Sequence, residues 1–122
     1  MQLDAGRLRD LEVFTETELR DIGRGAILAL AQQLDTLAEA LAEGNLPAAA
    51  DAAHRARNET QLVGARELSD ALGSLEDAAR SGRDRVAREA ASAARGLWPS
   101  TREAIERATD RTHGAGGYGA SG

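Results

Sequence analysis

The chain lacks cysteine altogether, carries only three aromatic residues, and has no long apolar run. Without cysteine there can be no disulfide, no thiolate nucleophile and no cysteine metal site. Phe14, Trp98 and Tyr118 are too few to build a core, so leucine and alanine must fill it. Such a core lets helices approach closely but buries modest area per residue, so modest stability is expected. No apolar stretch is long enough to span a bilayer, and no charged-then-apolar leader opens the chain. The expectation is a soluble, cytoplasmic protein, and Met1 points to a free-standing one.

A basic block interleaved with aromatics is also missing. The formal charge is -5, with acidic and basic residues interspersed. That weighs against DNA or RNA as the main partner. β-Branched residues are few and no strand-like alternation occurs, so the predicted class is all-α. At 122 residues there is room for one domain with one core.

Leucine spacing marks the helices. Leu3, Leu8, Leu11 and Phe14 suggest a short N-terminal helix, and Thr15 with Glu18 offers a capping box for a restart. Gly23 and Gly25 weaken the next stretch locally. Beyond them Ile27, Leu30, Leu34, Leu37 and Leu41 alternate three- and four-residue steps, a bundle seam. Gly44-Asn45 reads as a C-terminal cap followed by an N-cap, with Pro47 tolerated in the first turn. The helix carrying His54 then runs to Val63, where Gly64 breaks it. Leu68, Leu72, Leu75 and Ala79 form the following stripe, and Ser81-Gly82 closes it. A last helix carries Val86, Ala90, Ala93 and Leu97. Pro99 is expected to end or kink it, with Ser100 and Glu103 capping a restart toward Ile105. From about Thr112 the chain is glycine-rich and is expected to be a flexible tail. The whole reads as an up-down four-helix bundle over residues 1–111, with an extra short N-terminal helix, and a tail over 112–122.

His54 is one of two histidines. On a helix, Ala49, Ala52, Ala53, Ala56, Thr60 and Val63 make one small apolar stripe, and His54 points roughly opposite it. Its flank holds Pro47, Ala50, Asp51, Arg57, Asn58 and Gln61. A surface histidine is ordinarily just a solvated polar residue. Here Arg57, three residues on, can reach an anion carried on the ring, a contact worth about 1.5–3 kcal/mol. Arg55 and Arg66 add positive potential, and Gly64-Ala65 allows close approach of backbones where two helices meet. Imidazole is also the side chain best suited to nucleophilic work near neutral pH.

Ala53-His54, Arg57 three after the histidine, and Gly64-Ala65-Arg66-Glu67-Leu68 starting ten after it resemble a histidine-containing phosphotransfer (HPt) domain. The Gly44-Asn45 turn, Leu75-Glu76 at the close of the next helix and the late Trp98 look like that family too. The resemblance covers roughly Leu8 to Ala108, with its specific part within 53–76. It implies a four-helix bundle that takes a phosphoryl group from a receiver aspartate and passes it to another receiver. On that model His54 is the phosphoacceptor, through the outer nitrogen Nε2, and Arg57 replaces the family's usual lysine. Ala50, Asn58, Gln61 and Gly64 would frame the receiver-docking surface. The implied partners are response-regulator receiver domains, with a hybrid histidine kinase as a candidate source of phosphate. The receiver brings its own acidic pocket and Mg²⁺, so the chain needs no metal ligands, cofactor or ATP-dependent activity of its own. A monomer is expected. Two positions depart from the family pattern: Asn58 stands where it has glycine, and Glu59 where it has a small residue. Asn58 lies about 40° from His54, near enough to crowd a receiver or to hydrogen-bond the ring; Glu59 lies about 140° away.

Other readings have less to stand on. His113 borders the glycine tail with nothing to hold further metal ligands. Carboxylates look like i,i+4 pairing, as with Glu103 and Arg107, and there is no Glu-x-x-His pair, strand-borne phosphate loop or Ser-His-Asp motif. The main rival is a structural or adaptor bundle, a docking-only HPt relative included. In its structural form Leu30, Leu34, Leu37 and Leu41 would meet a partner helix or a second copy. A dimeric kinase phosphoacceptor domain is a third reading, weakened by the lack of a nucleotide-binding domain.

Overall fold

The computed structural model describes residues 14–109, so the expected N-terminal helix through Leu3, Leu8 and Leu11, the glycine-rich tail and His113 lie outside it. All secondary structure among the described residues is helical. The elements are α1 (Glu16–Ala42), α2 (Leu46–Val63), α3 (Arg66–Arg80) and α4 (Asp84–Thr109). Each helix packs on its sequence neighbours and α1 closes on α4, which makes a four-helix bundle. None of these helices is long and apolar enough to cross a membrane.

The three turns share one construction. Gly44, Gly64 and Gly82 have φ of 71°, 74° and 71°, the left-handed region where a β-carbon is costly. In each, the glycine N–H donates three residues back and the next N–H donates five back. Asn45 reaches the Ala40 carbonyl at 2.8 Å, Ala65 reaches Thr60 at 2.8 Å, and Arg83 reaches Ala78 at 2.9 Å. Those bonds satisfy carbonyls that a helix end leaves orphaned. At the helix starts, Thr15 and Glu18 form the expected capping box, and Asn45 Oδ1 accepts from the Ala48 N–H at 3.1 Å.

The core is leucine and alanine, as composition requires. Leu30, Leu37, Leu41, Leu68, Leu72, Leu75, Val63 and Ile105 lie within one cluster, with Ile27, Leu34 and Trp98 packed on its edge. The α1 seam is therefore consumed inside this bundle, which removes it as a surface offered to a partner helix.

α1 runs unbroken through Gly23 and Gly25. Gly23 is buried, and a β-carbon there would overlap the Thr109 side chain, so the glycine permits close approach of α1 and α4. Pro99 neither ends α4 nor starts a second helix. The proline does remove one backbone donor. The turn after it is anchored by Thr101, whose buried hydroxyl donates to the Leu97 carbonyl at 2.7 Å, and by buried Ile105. In α4 the expected stripe holds in part: Ala90 and Leu97 pack on the edge of the core. Ala87, Ala94, Thr101 and Ile105 face the core, while Val86 and Ala93 are exposed. An alanine-rich helix offers several nearly equivalent stripes, and packing chose a neighbouring one.

Candidate functional site

α2 buries Ala49, Ala52, Ala53, Ala56, Thr60 and Val63, the stripe read from the sequence. That face fixes the opposite one. His54 is left with 48% of its side chain exposed. Thr60, fully buried, satisfies its hydroxyl by donating to the Arg57 carbonyl at 2.6 Å.

α3 brings Glu76 against this face. Its carboxylate, on a side chain only 10% exposed, meets three cationic or ring groups. His54 Nδ1 lies 3.2 Å from Oε2 and 3.4 Å from Oε1. Arg57 Nη1 is 3.4 Å from Oε1, and Arg80 Nε and Nη2 are each 3.1 Å from Oε2. Arg80 Nη2 also approaches Asp51 Oδ1 of α2 at 3.6 Å. Burial works against the Glu76 charge, but hydrogen bonds from Arg80 and His54 and the charges of His54 and Arg57 outweigh it. The carboxyl is held below its ordinary value.

This geometry selects a tautomer. An ionised carboxylate only accepts, so the Nδ1 facing it carries the proton. In the neutral ring the Nε2 lone pair then points away from Glu76. An exposed imidazole with that nitrogen free is a nucleophile that needs no base to deprotonate it.

Arg57 joins the cluster, though its closest charge is Glu76. Its guanidinium lies over Gly73 of α3, where a β-carbon would sit 3.4 Å from Nη1. Beside it is an open hollow of about 430 Å³ between Arg57 and Gln61 on one side and Ser69, Asp70, Gly73 and Asp77 on the other. Of the four expected docking residues, Asn58 and Gln61 are exposed, whereas Ala50 and Gly64 are buried. Ala50 joins the buried side of α2, so that face is wider than the stripe alone. Gly64 is ten residues from His54, about 15 Å along the axis, and works as the turn between α2 and α3. Arg66 starts α3, while Glu76 lies ten residues further on.

Sequence reading did not assign a role to Glu76 or Arg80. A signal for Glu76 was present: it falls four after Leu72 and eight after Leu68, in phase with the core leucines. Of the two roles open to Asn58, crowding a receiver or bonding the ring, the Nδ1 contact is made by Glu76. Among the described residues no group of three or more His, Cys, Asp or Glu side chains could hold a metal ion. No protein-family model, curated protein or solved structure matches the chain.

Proposed function

We propose that the protein is a phosphorelay intermediate that carries a phosphoryl group on His54, in the manner of the HPt domains its sequence resembles. The observation that carries this reading is the ring's setting: Nδ1 against the Glu76 carboxylate, with nearly half the side chain open to solvent. In the step, the Nε2 lone pair attacks the phosphorus of a receiver's aspartyl phosphate. The P–O bond breaks, its electrons leave with the aspartate carboxylate, and an Nε2–P bond forms. No proton has to move. The ring becomes a phosphorylated imidazolium whose Nδ1–H still donates to Glu76, and that carboxylate offsets the new positive charge. Arg57 is close enough in sequence and space to share its guanidinium with the phosphoryl oxygens. Positioning and charge neutralisation dominate phosphoryl transfer, so a site this spare is sufficient. The reading carries with it a monomeric, cytoplasmic carrier of up-down topology, receiver domains as partners, and a docking face built on Asn58 and Gln61 around His54.

The test is incubation with phosphorylated receiver domains from the same organism, read by intact mass. The expected product gains one phosphoryl group that is lost in acid and is absent in His54→Gln. A wild-type chain that stays unmodified by every receiver would end this reading in favour of a structural bundle.

A further inference from the structure

Glu76 carries its carboxylate on a flexible stem at the edge of the α2–α3 seam, so something must keep it turned toward His54. Its shortest polar contacts are with Arg80. Nε and Nη2 of that guanidinium both lie 3.1 Å from Oε2, against 3.2 Å for the closest approach of His54 and 3.4 Å for Arg57. Arg80 is one helical turn after Glu76, the favourable order for an acid-base pair. It also leans back to Asp51, three residues before His54 on α2. The carboxylate is thus bracketed, with Arg57 on Oε1 and Arg80 on Oε2, and Nδ1 facing both oxygens. The charged groups around the ring are Asp51 and Arg57 from α2 and Glu76 and Arg80 from α3.

We propose that Arg80 is a positioning residue for His54: it holds the Glu76 carboxylate against Nδ1 and so sets which ring nitrogen is free to react. It touches neither the ring nor the incoming phosphoryl group and acts through Glu76. A guanidinium suits the task because its planar fork engages the carboxylate through two N–H groups at once. With Arg80 absent, Glu76 keeps Arg57 on one side only and can swing outward, and the ring loses its bias toward the Nδ1–H form. That the free nitrogen is a phosphoryl acceptor rests on the function proposed above; the positioning role itself does not.

Ring ¹⁵N shifts of His54, read at a pH where the imidazole is neutral, measure the tautomer ratio directly. The wild type should favour Nδ1–H. Arg80→Gln should lower the Nδ1–H to Nε2–H ratio about fivefold, the worth of one ordinary hydrogen bond. Arg80→Lys, which keeps a cation within reach of Glu76, should restore most of it. In a Glu76→Ala background, Arg80→Gln should do nothing more, because the two residues form one path. Labelling with phosphoramidate should follow the same order, with the share of Nε2-phosphohistidine falling in Arg80→Gln. Arg80 is half-exposed, so circular dichroism should show an unchanged fold. An unchanged ratio in Arg80→Gln, or an undiminished Arg80 effect without Glu76, would overturn the proposal. A ratio that responds as stated, in a protein no receiver phosphorylates, would keep Arg80's role and sink the phosphocarrier reading.

Discussion

Between α2 and α3 the helices meet over Gly73, and the space goes to the Arg57 guanidinium; between α1 and α4 they meet over Gly23, and the space goes to Thr109. The same residue type serves opposite ends. At the first seam the missing side chain admits a charged group that turns inward to Glu76. At the second it admits a short hydroxyl that is already satisfied by the Ile105 carbonyl at 2.7 Å. One seam stores polar groups facing an exposed histidine. The other closes the bundle, helped by Arg88, which donates to the Leu41 carbonyl at 2.6 Å. Among the described residues only this seam has a buried carboxylate, Glu76, in phase with the core leucines.

Removing the guest from the first seam should have the largest effect. Arg57→Ala is expected to slow phosphotransfer to His54 about 10–100-fold, the worth of one charge-assisted contact. Glu76 keeps Arg80 and His54, so the fold should survive. The measurement is the rate of label gain from a phosphorylated receiver. Unchanged kinetics would remove Arg57 from the site and leave it a structural partner of Glu76.

Replacing the glycines themselves tests the contrast directly. Gly23→Ala must displace Thr109, and overpacking of about 1–3 kcal/mol should exceed the helix-propensity gain of about 1 kcal/mol. At Gly73 a methyl group meets only the flexible Arg57 side chain, its Nη1 and Cδ, at ordinary contact distance. Gly73→Ala should therefore stabilise by about 0.5–1 kcal/mol. Urea midpoints read both. A shift of the same sign in the two variants would break the comparison.

Acid should distinguish the polar seam more gently. Glu76 has a folded value below its ordinary 4.5, so it contributes stability that is fully present above that value. The contribution fades as pH falls through the lowered value. The stability gap between wild type and Glu76→Gln should shrink as pH falls below 4.5. A gap that stays constant into the acid range would mean that ionised Glu76 adds nothing to the seam.

The legible parts of this chain were those with strong local signals. Gly44, Gly64 and Gly82 mark turns because only glycine sits easily at positive φ, and Thr15 with Glu18 caps α1 by a purely local exchange of bonds. Leu68, Leu72 and Leu75 fix the phase of α3 because nothing else on that helix competes with them. In α4 the stripe is mostly alanine, so the pattern could not tell the Val86 face from the Ala87 face. Pro99 is carried through by tertiary anchoring that no local rule contains. At the site, His54, Arg57, Asn58 and Gln61 follow from α2 alone. Glu76 and Arg80 do not: Glu76 reaches His54 from 22 residues away, a contact that exists only once α3 is packed, and Arg80 touches Glu76, not the ring. Ala50 reads as a surface position for the same reason: one helix alone cannot report which flank a neighbour will cover.

The smallest expected effect concerns Asn58, the exposed neighbour where the HPt pattern has glycine. It lies on the same face as His54, one turn on, and Glu76 already supplies the contact to the ring. If Asn58 only narrows access to Nε2, Asn58→Gly should leave transfer unchanged or speed it severalfold at most. Glycine in a helix interior costs a few tenths of a kcal/mol relative to asparagine, which α2, packed on both α1 and α3, should tolerate. The variant is best measured beside Gln61→Ala, which lies on the other side of the His54 axis and lines the Gly73 hollow. A gain in Asn58→Gly with a loss in Gln61→Ala would place the receiver over the hollow. A large loss in Asn58→Gly would instead make Asn58 a direct participant in transfer and move the working face of α2 away from α3.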